Sequence, residues 1–347
     1  MKGYKLTNLT NETVNLFKDC FDKNGSPKND EKIRWQFLEN PVNKQFVDIA
    51  IDKEKNRVAA IYAIFPVQFQ VNGNDYIGSQ SLDTITDIDY RGKGLFTNLA
   101  KDVYEKASQN NIKLVYGFPN GNSIHGFAKK LDWRVLDPVP FLFKPINTGY
   151  FTKKIKLLSW FPNIRIGFRN KVDKKINIKL KKEFPEEVNK IWGKFSENIL
   201  VSVKRNKEYI DWRYIQKPDE DYKIAHAYIS DGSYIGFIVY CVKEKHGGKI
   251  AYIMEYIYDP KFTLQAENLM KFTINQIIKE KADCILSWCL EHSENYKHYR
   301  KRGFYTLPEK FRPIELHFGV RCFDENLNKL IINRKNWYLS YSDSDTV

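Results

Sequence analysis

The feature that most limits how this chain can fold is an internal repeat. The stretch 33–41, I-R-W-Q-F-L-E-N-P, matches the stretch 210–218, I-D-W-R-Y-I-Q-K-P, in its apolar pattern and in the places of its tryptophan and proline. Each stretch precedes the same succession of strands and a helix, and each copy closes with a helix that ends in an aromatic residue, Trp133 or Phe304. Such self-similarity indicates two copies of one structural unit. A chain of 347 residues is long enough for two cores.

The order of the predicted elements gives the fold class and the boundaries. Strands and helices alternate in both copies, and Asn72 with Gly73 predicts a hairpin turn between two strands of the first copy. We therefore predict a mixed α/β (α+β) protein of two tandem domains. The predicted segments are an N-terminal domain at 1–144, a basic connector at 145–184, a second domain at 185–325 and a C-terminal tail at 326–347.

The composition argues against several classes of protein. The longest apolar run is half of what a bilayer span needs, and no apolar signal segment follows the first residues, so we expect a soluble, cytoplasmic protein without a transmembrane segment. Five scattered cysteines fit a reducing compartment. Cys284, Cys289 and His292 do not predict a metal site, because positions 284 and 289 point to opposite faces of a strand.

The positive charge of the chain is concentrated in the connector. The net charge is +14, and the stretch 144–182 holds twelve Lys and Arg against the single acid Asp173, which is +11. Such a field attracts a nucleotide, an acidic glycan, nucleic acid or an anionic membrane surface, and a solvated linker face explains it equally well. Nucleic acid is the least favoured partner, because few aromatic residues for base stacking are interleaved with the charges.

A glycine loop between a predicted strand and a predicted helix is the feature richest in chemistry. The stretch 84–97 reads T-I-T-D-I-D-Y-R-G-K-G-L-F-T, and a helix pattern continues from it to Gln109. The first N–H groups of a helix lack intrahelical partners and carry positive partial charge, and glycine lets an anion approach the backbone. The stretch therefore predicts a phosphate-binding loop. It has neither the spacing of a Walker A loop nor the third glycine of a dinucleotide-binding fingerprint.

The run D-Y-R-G-K-G-L-F at 89–96 resembles the pyrophosphate-binding motif of the GNAT (Gcn5-related) N-acetyltransferases. The helix and strand after it, then Asn122 with Ser123 and the closing K-K-L-D-W, follow in the order of that family. The resemblance covers 1–144 well and the second half as a degenerate copy, in which D-P-K-F-T-L at 259–264 replaces the glycine loop. It implies two tandem GNAT-like domains, each with a mixed, mostly antiparallel sheet flanked by helices. It also implies acetyl-CoA, or acyl-CoA generally, as the co-substrate of the first domain. The second domain would shape the acceptor site.

The resemblance also implies which residues hold the co-substrate. Backbone groups at a strand end would contact the acyl group and the pantetheine arm where two parallel strands splay, and the loop with the first helical turn would cradle the pyrophosphate. Two residues after the next strand would line the far side of the arm. In that order the residues are Thr84, Ile85 and Thr86; Arg91, Gly92, Lys93, Gly94, Leu95, Phe96 and Thr97; and Asn122 and Phe127. Phe96 stands where many members have glycine or alanine, so its side chain must turn away from the cofactor.

Three residues are candidates for proton transfer. Asp83 is the preferred base, because strand alternation puts it on one face with Ser81 and a buried carboxylate needs a partner or a function; a hydrogen bond to a neighbouring loop explains it as well. The position of the tyrosine that serves as the acid in the family is Ala128 here, and the second copy has Tyr299 at its matching position. A thiol leaving group is acidic enough for water to serve instead. His125 could face the cleft, although a lone histidine on a short helix is more often structural.

The leading hypothesis is an acyl-CoA-dependent N-acyltransferase in which a primary amine attacks the thioester directly. The acceptor would be a small molecule, and the basic connector suggests an anionic one such as a nucleotide-linked amino sugar. A Fem-type peptidyltransferase that uses aminoacyl-tRNA also has tandem domains of this kind, but its members generally lack an intact glycine loop. A third hypothesis is a non-catalytic GNAT-like protein that binds an anionic polymer through the connector. The sequence does not indicate an oligomeric state.

Overall fold

The computed structural model describes residues 2–152, 160–245, 247–312 and 314–347. The strands are β1 (Tyr4–Asn8), β2 (Phe46–Asp52), β3 (Arg57–Val71), β4 (Asn74–Ser81), β5 (Ile85–Thr86), β6 (Ile112–Gly117), β7 (Arg134–Leu136), β8 (Phe141–Pro145), β9 (Asn177–Leu180), β10 (Val201–Val203), β11 (Lys223–Tyr228), β12 (Tyr234–Lys245), β13 (Gly248–Tyr258), β14 (Cys284–Trp288), β15 (Tyr305–Thr306) and β16 (Phe318–Cys322). The α-helices are α1 (Val14–Lys23), α2 (Asp30–Ile33), α3 (Leu95–Gln109), α4 (Ile124–Lys130), α5 (Gly149–Thr152), α6 (Val188–Phe195), α7 (Lys207–Tyr214), α8 (Thr263–Lys279), α9 (Glu294–Lys301) and α10 (Glu325–Ile331). A π-helical turn (Arg34–Leu38) extends α2, and short 3₁₀ turns lie at Ile88–Tyr90, Pro260–Phe262, Glu309–Phe311, Arg334–Asn336 and Tyr341–Asp343.

The strands form two mixed sheets. The first has the order β1-β2-β3-β4-β6-β16-β7, with β5 and β10 also paired to β3, and the second has the order β15-β8-β14-β13-β12-β11-β9. Each sheet contains one parallel pair, β4 with β6 and β13 with β14, and the other strand pairs in the described chain are antiparallel. Helices flank both sheets. The predicted fold class, two mixed and mostly antiparallel sheets flanked by helices, is confirmed.

The two sheets exchange a strand. Strand β8 follows β7 in the chain but lies between β14 and β15 of the second sheet. Strand β16 follows β15 in the chain but lies between β6 and β7 of the first sheet. Most of β8 lies within the predicted N-terminal segment 1–144, yet the strand belongs to the second sheet. The boundary proposed at residue 144 therefore falls inside a strand of the second sheet.

A fragment of residues 1–144 should consequently fail to fold alone. It lacks β16, so the edge of β6 would expose unpaired N–H and C=O groups, and its β8 would have no sheet to join. We expect the fragment to aggregate or to melt without a cooperative transition in circular dichroism. Coexpression with residues 145–347 should recover a soluble complex. A fragment that melts cooperatively by itself would show that the exchanged strand is dispensable.

The matched tryptophans of the repeat meet where the two halves join. The rings of Trp35 and Trp212 stack with centroids 4.4 Å apart and planes 13° apart. The indole N–H of Trp35 donates to the carbonyl of Trp212 at 2.9 Å, and that of Trp212 donates to the carbonyl of Trp35 at 3.0 Å. Reciprocal contacts of this kind are made by equivalent residues about a twofold axis. They support the alignment of 33–41 with 210–218.

Helix α3 is held on the first sheet by a stripe of apolar residues. Leu95, Leu99 and Val103 recur at four-residue spacing and are all buried, with Tyr62 of β3 in the same cluster. This spacing keeps one face of a helix on the sheet. Because Leu95 is the first residue of α3, burial of its side chain fixes the position at which the helix begins.

The chain after residue 336 lies between the two halves. The fully buried guanidinium of Arg205 contacts Glu255 of β13 at 3.0 Å and Asp343 at 2.5 Å. The Arg213 guanidinium donates to the carbonyl of Ser344 at 2.7 Å. A buried charge destabilises a fold unless it is paired, so these contacts tie the last residues firmly to the core. The predicted C-terminal tail thus includes part of the core, and it reaches the cleft described next.

Candidate active site

A cleft of about 790 Å³ opens where β4 and β6 part. The pairing of these parallel strands ends at Ser81 with Gly117. The chain is irregular at 82–84, where Asp83 has a φ of 50°, and β5 then pairs with β3 alone. The predicted strand from residue 81 to 88 is therefore interrupted, and the alternation argument for the direction of Asp83 was wrong. On the side towards β6, the backbone of β5 has no strand partner in the described chain, so it can bind a ligand.

The glycine loop stands at one end of this cleft, between β5 and α3. Gly92 and Gly94 have φ of 78° and 76°, a conformation that other residues rarely adopt. A Cβ on Gly92 would meet nothing within 4 Å, and one on Gly94 would meet only Asn98 Nδ2 at 3.9 Å. Helix α3 has no side-chain cap in the described chain. The N–H groups of its first turn are thus turned towards open space, with the positive end of the helix dipole behind them.

Ion pairs fix the turn that leads into the glycine loop. The buried Asp87 accepts from the amide of Asp89 at 3.0 Å and from the Arg57 guanidinium at 2.5 Å. Arg57 also contacts the carboxylate of Asp89 at 2.7 Å. The Tyr90 hydroxyl donates to Asp52 at 2.8 Å, which anchors the turn to the end of β2. The loop is therefore held in shape by charged contacts on the side away from the cleft.

The cleft residues fit a CoA-type molecule. Such a molecule carries an anionic pyrophosphate and an arm of amide and carbonyl groups. Arg91 lines the cleft. Lys93, in the loop just before the uncapped helix terminus, has its ammonium 4.7 Å from the centroid of the Tyr90 ring. Thr84 also lines the cleft, and its Oγ1 is buried and has no hydrogen-bond partner among the described residues. The positive charge at the helix terminus matches the pyrophosphate, and the unpartnered hydroxyl of Thr84 matches the polar groups of the arm.

Aromatic rings form one wall of the cleft. The ring of Phe96 lies 5.2 Å from Phe127 of α4 and 5.7 Å from Tyr62. A Cβ on Gly126 would come within 2.9 Å of the Phe96 ring, so this glycine makes room for it. The ring of Phe96 thus packs between α3 and α4, and it also lines the cleft. The wall is apolar and suits the pantetheine arm.

The other end of the cleft is polar. Asp83 lies there, and its carboxylate accepts from the Lys28 ammonium and from Gln36 Nε2, the latter at 3.1 Å. Both partners belong to the α2 region, which holds the carboxylate in place. The positive φ of Asp83 turns the residue out of the strand, which is how a charged group avoids the core of the sheet.

The last residues of the chain share this polar end, since Ser344, Asp345 and Thr346 all line the cleft. The Asp345 carboxylate lies 3.1 Å from the ammonium of Lys217 and 3.4 Å from that of Lys32. Burial acts to raise the pKa of Asp345, but the two lysines outweigh it and hold the pKa below its ordinary value. Sequence reasoning missed Lys28 and residues 344–346, because no motif or spacing links them to the glycine loop.

The structure brings most of the predicted site residues together. Those that line the cleft are Asp83, Thr84, Ile85, Thr86, Arg91, Phe96, Asn122 and Phe127. The remaining loop and helix positions, adjacent to Arg91 and Phe96, are Gly92, Lys93, Gly94, Leu95 and Thr97. The side chain of His125 is exposed on α4 and is absent from the cleft lining.

Tyr299 does not fit a role in proton transfer at this cleft. It is buried in the core of the second sheet, where its hydroxyl accepts from Ser287 Oγ at 2.8 Å. Burial raises the pKa of Tyr299 well above its ordinary value. The repeat pairs Tyr299 with Ala128, but Tyr299 belongs to the second copy and therefore lies beside the second sheet.

Two features are absent from the described residues. No group of three or more His, Cys, Asp or Glu is placed to hold a metal ion. No described helix combines the length and the apolar character needed to cross a membrane. Four of the five cysteines, Cys20, Cys241, Cys284 and Cys289, are buried.

Comparisons with known proteins agree with this geometry. Residues 7–136 match the model of the acetyltransferase (GNAT) domain family. No curated protein matches the chain by sequence. A probable N-acyltransferase of unknown function from Enterococcus faecalis is 12% identical, with a TM-score of 0.63 over 92% of this chain and 72% of that one. The N-myristoyltransferase of Saccharomyces cerevisiae with bound myristoyl-CoA is 11% identical, with a TM-score of 0.60 over 92% and 83%. A GCN5-related N-acetyltransferase from Anabaena variabilis is 13% identical, with a TM-score of 0.63 over 92% and 73%.

Proposed function

We propose that the chain is an acyl-CoA-dependent N-acyltransferase with acetyl-CoA as its donor, on the premise that residues 7–136 match the acetyltransferase (GNAT) domain family. The observation that carries the proposal is the cleft between β4 and β6. It joins an uncapped helix terminus with open glycines at one end to a fixed carboxylate at the other. The donor, when bound, supplies a thioester that an amine can attack. The chain's own residues would bind the donor, orient the acceptor and remove a proton from the acceptor amine.

Binding of the donor depends on the first half. The amides of Gly92 to Thr97 would hold the pyrophosphate, with Arg91 and Lys93 adding charge. The unpaired backbone edge at Thr84 to Thr86 would hydrogen-bond the arm in place of the missing strand. Phe96 and Phe127 would exclude water from the arm. We assign donor binding to residues 1–144, whose sheet is completed by β16 from the second half.

Asp83 is the proposed general base. An acceptor amine arrives as an ammonium ion, and the carboxylate of Asp83 would take its proton so that the nitrogen lone pair can attack. Lys28 and Gln36 hold this carboxylate at the polar end of the cleft. The amine nitrogen would then form the new bond to the acyl carbon, and the bond from carbon to sulfur would break. The nitrogen would release its remaining extra proton to water, and the leaving thiolate would take a proton from water.

The acceptor is proposed to be a primary amine that enters from the polar end. The second half reaches this end through residues 344–346, and the buried Lys217 holds Asp345 there by an ion pair. Lys28, Asp83 and Asp345 line this end together, so an acceptor with a negative group beside its amine would meet charges of both signs. A nucleotide-linked amino sugar is one such acceptor, and the basic connector would add to the attraction.

Thermal shift with acetyl-CoA tests the donor, and thiol release with a panel of amines tests the reaction. A ligand at a hundred times its Kd stabilises the fold by about 2.7 kcal/mol, which raises the melting temperature measurably. Longer acyl-CoA molecules and free CoA in the same assay separate preference for the acyl chain from binding of the pyrophosphate. If neither acetyl-CoA, a longer acyl-CoA nor CoA stabilises the protein, the proposed function is wrong.

A further inference from the structure

A cluster of exposed apolar side chains lies in the connector, outside the cleft. Residues 160–171 read W-F-P-N-I-R-I-G-F-R-N-K, and we call them the connector patch. Trp160 is 77% exposed, Phe168 is 81% exposed, and Ile164 and Ile166 are both more than 40% exposed. Of the fourteen exposed large apolar residues in the described chain, five lie in 160–168. Single exposed apolar residues are ordinary, but a concentration of this kind marks an interaction site.

The backbone of the connector patch is anchored to the second half. The amides of Ile166 and Gly167 donate to the carbonyl of Ile146 at 2.8 and 2.9 Å. Asn170 exchanges two hydrogen bonds with the side chain of Asn275 on α8, at 2.7 and 2.9 Å. The apolar side chains are therefore presented outwards from a hydrogen-bonded segment. A merely solvated linker needs neither this anchoring nor these side chains.

The connector patch also carries positive charge without matching acids. It holds Arg165, Arg169 and Lys171, and Lys174 with Lys175 follow closely. In the part of residues 160–182 that the structure describes, the recorded ion pair is Lys182 with Asp221 at 3.7 Å, and both side chains are exposed. The guanidinium of Arg165 donates to the carbonyl of Gly167. The charge of the patch is thus available to an external anion.

We propose that the connector patch docks the protein on an anionic lipid bilayer. Tryptophan and phenylalanine prefer the boundary between headgroups and acyl chains, aliphatic side chains enter the apolar layer, and Arg and Lys are attracted to anionic headgroups. The patch offers all three, with Ile164, Ile166 and Phe168 alternating along the chain with Arg165 and Arg169. Single-stranded RNA is the weaker match, because isoleucine cannot stack on a base as an aromatic ring does.

Vesicle cosedimentation of the full chain tests this proposal. The wild-type protein should bind vesicles of equal parts phosphatidylcholine and phosphatidylglycerol, should not bind pure phosphatidylcholine, and should bind less at high salt. The double variant Trp160→Ser with Phe168→Ser should bind at least about tenfold more weakly, because two aromatic side chains no longer enter the bilayer. Arg169→Gln with Lys171→Gln should weaken binding by about tenfold as well.

The matched control is Tyr305→Ser with Phe311→Ser, which removes two aromatic side chains that are 59% and 63% exposed elsewhere. It should bind vesicles like the wild type, and every variant should keep its stabilisation by acetyl-CoA. The proposal is overturned if the wild-type protein does not bind anionic vesicles, or if the connector variants bind them as tightly as the wild type. It is also overturned if the variants lose binding to a single-stranded RNA oligonucleotide while their vesicle binding stays intact.

Discussion

Replacing Gly92 or Gly94 by valine should lower the affinity for acetyl-CoA by at least about tenfold, equal to ~1.4 kcal/mol of binding free energy. Both glycines border open space at the uncapped start of α3, where the proposed pyrophosphate must approach the backbone amides. A branched side chain would fill that space and would also disfavour the positive φ of the loop. Isothermal titration calorimetry measures the affinity, and the thermal shift by acetyl-CoA should shrink in parallel.

Gly73 provides the control for backbone strain. Its φ is 76°, a Cβ there would meet nothing within 4 Å, and it lies in the hairpin turn between β3 and β4. Gly73→Val should therefore destabilise the free protein by about 1–2 kcal/mol, as the loop variants do, yet bind acetyl-CoA like the wild type. If the two loop variants bind acetyl-CoA as tightly as Gly73→Val does, the donor does not use this loop.

The sequence predicted the glycine loop well because its information is local. Positive φ at two nearby positions, a strand before them and an amphipathic helix after them all leave a pattern in consecutive residues. The repeat was predictable for a related reason, since it keeps Trp35 and Trp212 at matched positions, and these rings meet at the interface. The lining of the donor end of the cleft followed from the resemblance together with this local order.

The rest of the cleft could not be predicted, because it depends on which sheet edge each segment reaches. Strands β8 and β16 have ordinary apolar patterns, and such a pattern does not say that each strand will join the sheet of the other half. Residues 344–346 reach the cleft only because Arg205 and Arg213, more than a hundred residues earlier, hold the end of the chain. The strand likewise breaks after Ser81 because β4 and β6 part there. The alternation of residues along a strand does not show where two strands part.

Asp83→Asn should lower kcat by about a hundredfold or more at neutral pH, a typical loss when a general base is removed. Asparagine keeps the size of the side chain and tolerates positive φ, so the backbone at 50° should persist. The variant should still bind acetyl-CoA, because the glycine loop is untouched. Thiol release with the amine that the panel identifies gives kcat, and calorimetry confirms donor binding.

The pH profile separates a base from a structural carboxylate in this variant. As pH rises towards the pKa of the acceptor amine, near 10 for a lysine-like amine, more of the acceptor is already deprotonated and needs no base. The defect of Asp83→Asn should therefore shrink steadily with rising pH. Asp132→Asn is the matched control, because Asp132 also has a positive φ, of 54°, and pairs with Arg321 outside the cleft; its rate should stay within about twofold of the wild type. A defect in Asp83→Asn that is equally large at every pH would instead assign Asp83 to holding Lys28 and Gln36 in place.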